Sequence, residues 1–470
     1  MSDTSLHPNN DSLPRNSSFI TTIELVLLSF SLFGFLGPGF SSYIMGSKEP
    51  GGGVPPHFVS TILLLLLTSL TGITILHSRT AIKTLLACIP VAIVLAAKAV
   101  FEQSDDEVVK GMLLRECIRL PIGISLFAVV YSICRNQGRL SGVLYLLYFI
   151  VLADFLVVLW QFKSGTVSPW AMNSSTSRID LVKPAGLESG YVWHTQAMLV
   201  PTLIAVLTCV DSKFRRRPPA HDALGRSTGF VWLVGGCGAL GIVLSSSRSG
   251  LLGLIVGLTA PSLLFRRVFP ERFGLTLVFA IGIAGAYPIL GLLLSSMQKE
   301  NATLSEDARM GETYIAYIPI IATHPFGVPK VIYDSPDASR TAAAVDQMWS
   351  SSRRAEALLG VSIPASAKLN SYLIYPHNFV LTVGLNQGWA GIFSLIAIYL
   401  IAFGAVRRTI EASDSIEGAR VGWVLFGALT GFLVNSCFHN SNIIDSEARN
   451  WVILALICAS HDLVHDEAAD

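Results

Sequence analysis

Arg248, Arg309 and His377 are the side chains in this sequence best suited to chemistry. Arg248 stands in the run Ser245-Ser246-Ser247-Arg248-Ser249-Gly250, between apolar stretches 229–244 and 251–265, each nearly long enough to cross a bilayer. A cation so close to hydrocarbon is costly and needs water or an anionic partner, and no acid stands beside it in the sequence. Arg309 falls in the first turn of an amphipathic stretch, 307–322, which Pro325-Phe326-Gly327-Val328-Pro329 ends sharply. His377 opens the pair His377-Asn378. Guanidinium forks match phosphate oxygens, and imidazole is the side chain best suited to accept a proton near neutral pH. The set suggests an anionic ligand and a proton transfer.

The elements that must carry these residues follow from composition. The chain has 470 residues, 51% hydrophobic and only 14% charged, which excludes an ordinary soluble protein. Apolar runs recur at 20–36, 57–76, 81–100, 112–134, 140–162, 194–210, 229–244, 251–265, 273–297, 389–406, 421–438 and 451–463. They predict an all-α polytopic membrane protein with about twelve transmembrane helices. The first nineteen residues lack the apolar core of a cleavable signal peptide.

Charge orients the predicted spans. Arg79 and Lys83 follow the second, Arg135 and Arg139 the fourth, Lys213 and Arg215 to Arg217 the sixth, Arg266, Arg267 and Arg272 the eighth, Arg407, Arg408 and Arg420 the tenth. Basic loops at every even exit place those loops and both termini in the cytoplasm. The expected organisation is a cytoplasmic tail 1–19, spans one to nine over 20–297, a large outer loop 298–376, spans ten to twelve over 377–463, and a tail 464–470. Arg248, Arg309 and His377 then share the outer face. A loop as long as 298–376 is uncommon unless functional.

Other residues carry two readings each. His194 enters the sixth span from outside, as a substrate contact or as a satisfied buried histidine. Arg115 and Arg119 lie on one face of the fourth span, to hold lipid phosphate or to reach the headgroups. Asp154 is embedded in the fifth span, where an acid is a functional candidate and a structural hydrogen bond is the competing role. The competing role of Arg248 is to anchor a helical hairpin, that of Arg309 to be solvated at a helix start, and that of His377 to partner a helix cap. The seven cysteines lie in or beside apolar spans without a C-x-x-C pair, and read as buried hydrophobes. The net charge of +1 gives no sign of nucleic-acid binding. No D-x-D occurs, and the first outer loop, 37–56, holds Glu49 as its one acid, so no metal or other cofactor is expected.

Three segments together resemble the O-antigen ligase and polymerase superfamily of bacterial envelope enzymes. Ser247-Arg248-Ser249-Gly250-Leu251-Leu252-Gly253 is similar to that family's S-R-small-small turn opening a span. Arg309-Met310-Gly311, followed by Ile321-Ala322-Thr323-His324-Pro325-Phe326-Gly327-Val328, resembles its arginine helix ending in a proline-glycine turn. His377-Asn378-Phe379-Val380-Leu381, then Gly388-Trp389-Ala390-Gly391, resembles its H-N-x-x-L stretch leading into a Gly-x-x-Gly span. The resemblance covers roughly residues 191–391. Gln387 departs from the acid that many members carry there, and Arg178 is the nearest arginine to an Arg-x-x-Gly expected further upstream.

The resemblance implies a GT-C-like architecture and an inner-membrane glycosyltransferase working on the periplasmic face. The donor would be a glycan on undecaprenyl pyrophosphate. The acceptor would be a sugar hydroxyl on lipid A-core in a ligase, or on another lipid-linked repeat in an O-antigen or exopolysaccharide polymerase. Catalytic roles would fall to His377, Arg248 and Arg309. Substrate contacts would come from Arg248, Arg309, His194, Asn378, Arg115 and Arg119, with no metal and an inverting displacement. A transporter or flippase of lipid-linked sugars is the alternative of another class.

Overall fold

The computed structural model describes residues 17–36, 56–71, 75, 78–101, 107–135, 137–164, 184, 186–187, 191–213, 228–245, 247–295, 318, 321–327, 378–411, 416–439 and 448–467. Among these residues the chain is all-helical. The helices are α1 (Ser17–Leu36), α2 (Pro56–Thr71), α3 (Arg79–Leu86), α4 (Ile89–Phe101), α5 (Glu107–Cys134), α6 (Gln137–Ser164), α7 (Tyr191–Lys213), α8 (Thr228–Leu244), α9 (Arg248–Leu264), α10 (Arg272–Ser295), α11 (Phe379–Glu411), α12 (Ile416–Ser436) and α13 (Ala448–Glu467).

Helices fall on each apolar stretch that hydropathy marks out, the third of them in two pieces that meet at Ala87 and Cys88. In hydrocarbon every backbone N–H and C=O must be satisfied within the chain, which an α-helix does. Arg79–Phe101, Cys117–Cys134, Leu140–Ser164, His194–Lys213, Phe379–Glu411 and Gly418–Ser436 are long and apolar enough to cross a membrane. Gly229–Leu244, Arg248–Leu264, Arg272–Gly285 and Asn450–Val464 are shorter apolar helices. Together they mark a membrane protein.

Small residues set the central packing. Gly253 and Gly257 on α9 face Gly431 and Gly427 on α12, and the two helices run antiparallel. A Cβ on Gly257 would lie 2.9 Å from the Gly427 carbonyl oxygen, and one on Gly431 would lie 2.6 Å from that of Gly253. Four residues apart on each helix, these glycines form a stripe that lets two backbones approach. Helix α7 runs parallel to α9, with Leu199 and Leu203 over the same two glycines, and antiparallel to α8, where Val206 lies over Gly235.

Opposite ends of this group are chemically different. At one end Asp211, near the finish of α7, receives Arg272 from the start of α10 at 2.5 Å and Arg420 from the start of α12 at 3.4 Å. Arg272 is buried, its guanidinium carbon 3.7 Å from the ring centre of Phe269 and 4.9 Å from that of Trp423. In the sequence both arginines read as loop charges; folded, they belong to a buried ion cluster. Such a cluster needs all its members, because an orphaned buried charge is expensive.

The other end gathers the starts of α7, α9 and α11 and the finish of α8 and α12. Here α11 departs from the sequence expectation. It begins at Phe379, ahead of the apolar run from 389, and is broken at Gly388 (φ 64°, ψ −151°).

Candidate functional site

The hairpin between α8 and α9 is closed by its own serines. Ser245 donates its hydroxyl to the Ile242 carbonyl at 2.7 Å. Ser247 is the N-cap of α9, accepting the Gly250 N–H at 3.3 Å. A capping serine satisfies one of the free N–H groups of a helix start. Arg248 therefore occupies the first helical position, and its side chain is exposed. The sequence places it between two apolar stretches; folded, it stands exposed at the first position of α9.

Under Arg248 runs a buried chain of hydroxyls. Thr195 of α7 donates to Ser247 Oγ at 3.2 Å, Ser247 Oγ lies 3.1 Å from Ser249 Oγ, and Ser249 Oγ lies 2.5 Å from His439 Nε2. His439 stands in the turn just beyond α12 and is buried. Sequence reasoning misses it: it is one histidine at the end of an apolar span, with no motif around it.

Asn378 caps α11. Its Oδ1 accepts the N–H groups of Val380 and Leu381 at 3.0 and 3.1 Å. Its Nδ2 is then free to donate to the Cys437 carbonyl at 3.1 Å, which ties the start of α11 to the turn holding His439.

His194, in the first turns of α7, is fully buried. Its Nε2 meets Asp154 Oδ2 of α6 at 2.7 Å, and Asp154 Oδ1 accepts the Leu187 N–H at 2.9 Å. Gln161, two turns further along α6, closes a two-way bond with Gly186, accepting its N–H at 2.9 Å and donating to its carbonyl at 3.0 Å. Gly186 has φ +59° and lies where any Cβ would run into the Asp154 carboxylate, so glycine is needed twice over. Asp154 and His194 thus form a structural hydrogen bond, at the same end as Arg248.

The break in α11 is filled by the chain itself. Trp389 donates its N–H to the Pro325 carbonyl at 2.9 Å, and a Cβ on Gly388 would collide with that carbonyl. Lys98 of α4 reaches the other side of the break, donating from Nζ to the Asn386 carbonyl at 2.6 Å. The segments Pro325-Phe326-Gly327 and Gly388-Trp389, widely separated in sequence, are thus docked on each other.

The structure brings together His194, Arg248 and Asn378. Arg119 is on α5, which packs on α2, α4, α6 and α13. Arg309, His377 and Arg178, the Arg115 side chain, and most of the 307–322 and 298–376 stretches lie outside the described residues. Compared with known proteins, the chain matches no family model, and no curated protein matches it.

Proposed function

We propose that this chain is an inner-membrane glycosyltransferase that moves a glycan from undecaprenyl pyrophosphate to a sugar hydroxyl on the periplasmic side, in the manner of an O-antigen ligase. The observation that carries this reading is the meeting of Arg248, Asn378 and the buried His194–Asp154 pair at one end of the helical bundle. An exposed guanidinium on the first residue of a helix, whose neighbour Ser249 bonds to the same turn beyond α12 that holds Asn378, is suited to an anionic substrate.

The chemistry is one displacement. The acceptor oxygen attacks the anomeric carbon, the bond from that carbon to the pyrophosphate oxygen breaks, and the hydroxyl proton passes to His377. Undecaprenyl pyrophosphate leaves as an anion whose growing charge Arg248 and Arg309 offset. General-base help of this kind contributes about 10²–10⁴-fold. Attack opposite the leaving group inverts the anomeric centre.

The broken helix does not favour a carrier. Transporters use such breaks to expose backbone groups to substrate or ion, whereas here the groups around Gly388 are taken up by Pro325 and Lys98. The envelope glycans of a deletion strain test the assignment. A ligase leaves finished polymer on its lipid carrier, a polymerase leaves single repeats, and a flippase leaves substrate on the inner leaflet; single repeats contradict the ligase reading, and substrate on the inner leaflet contradicts glycosyl transfer altogether.

A further inference from the structure

The hydroxyl chain beneath Arg248 has a direction. Ser247 Oγ accepts two protons, from Thr195 Oγ1 and from the Gly250 N–H, which fills both its lone pairs. Its own proton must then go to Ser249 Oγ, its remaining partner at 3.1 Å. Ser249, having accepted from Ser247, bonds in turn with His439 Nε2. The row runs Thr195, Ser247, Ser249 and His439, and ends on the imidazole Nε2. His439 is buried and so is Ser249, and a buried hydroxyl deprived of its acceptor costs about 1–3 kcal/mol in general.

Two further bonds converge on the same turn. Ser249 follows Arg248 directly in the first turn of α9, and Cys437, two residues before His439, holds Asn378 through its carbonyl. The turn beyond α12 is thus the common support of the Arg248 helix start and of the residue next to His377. Lower down, the glycine stripes keep α9 and α12 in contact, and the Ser249–His439 bond sets their register at the site end.

We infer that His439 is the positioning residue for Arg248: through its bond with Ser249 it holds the first turn of α9, and with it the guanidinium, in place for the pyrophosphate of the lipid-linked donor. This rests on the proposed function for the identity of the anion. His439 itself touches no substrate in this account.

The test is binding of undecaprenyl pyrophosphate to the purified full-length protein in detergent, read by calorimetry, with thermal unfolding measured in parallel. H439L removes the partner of Ser249 and is expected to weaken binding by about tenfold or more, the loss of roughly one charge-assisted hydrogen bond. H439Q, whose amide oxygen can accept from Ser249, is expected to restore most of the affinity. S249A breaks the same bond from the other side, is expected to match H439L, and carries the test alone if H439L does not fold. Because His439 acts through Arg248, the R248A/H439L double variant is expected to bind no worse than R248A. Affinity unchanged in H439L and S249A, or losses that simply add in the double variant, overturns this inference while leaving the proposed function standing. A wild-type protein that fails to bind undecaprenyl pyrophosphate overturns both.

Discussion

His194 and Asp154 form a buried pair, Nε2 to Oδ2 at 2.7 Å, that joins α7 to α6 and holds the Leu187 backbone at the same time. Asp154→Ala orphans two buried donors, the His194 ring and the Leu187 N–H, at a cost of about 1–3 kcal/mol each. Asp154→Asn keeps one acceptor and is expected to cost less. Thermal unfolding of both variants in detergent checks the order; an Asp154→Ala protein as stable as wild type rules out this role.

Asp211 at the opposite end makes an independent prediction. Arg272 is buried against it and stacked on Phe269 and Trp423. Asp211→Ala is expected to destabilise by about 3–5 kcal/mol, because it leaves the buried Arg272 without its acid, and Arg272→Ala by less, because Arg420 still faces Asp211. The double variant is expected to lose less than the two singles added. Strict additivity in unfolding measurements would show that the pair is not coupled.

Gly388 predicts an effect on a distant segment. Its positive φ and the collision of any Cβ with the Pro325 carbonyl make Gly388→Ala unfavourable by roughly 1–3 kcal/mol. Part of that strain is relieved by undocking residues 321–327, so chymotryptic cleavage at Phe326 is expected to speed up. Cleavage at the wild-type rate would mean that the Pro325–Trp389 bond does not restrain this segment.

The glycine stripe can be tested with Gly431→Val, which adds a Cβ and two methyl groups where the Cβ alone would lie 2.6 Å from the Gly253 carbonyl oxygen. Overpacking of this kind costs about 1–3 kcal/mol. It is also expected to weaken anion binding at Arg248, since the α9–α12 register carries that residue. A variant with altered stability but wild-type binding would separate the stripe from the site.

How much of this was legible in the sequence varies with the kind of evidence. Apolar runs located the helices because burying backbone in hydrocarbon leaves few other structures. The alternation of basic loops separated Arg248 from Arg272 and Arg420, and those residues do lie at opposite ends of α7, α9 and α12. Arg248 was visible because it sits in a short polar break between apolar runs, and Asn378 because it follows His377 in a stretch that resembles a family motif. His439 was not, since its role depends on Ser249, which lies 190 positions away, and nothing local encodes that pairing. The small-residue spacing of Gly253 with Gly257, and of Gly427 with Gly431, is a readable signal for close helix contact, but it does not say which helix meets which. The break at Gly388 was hidden for another reason: a glycine inside an apolar run has the same hydropathy whether its φ is positive or helical.

The central claim is that Arg248 serves a glycosyl transfer from a lipid pyrophosphate. Its most direct test is the initial rate at which purified protein moves glycan from an undecaprenyl-pyrophosphate donor to a sugar acceptor, wild type against Arg248→Ala, at matched folded fraction. The account predicts transfer by the wild type and a fall of about 10²–10³-fold in the variant, as for removal of one group that stabilises developing charge. Equal rates for the two proteins, or no transfer by the wild type, would contradict it.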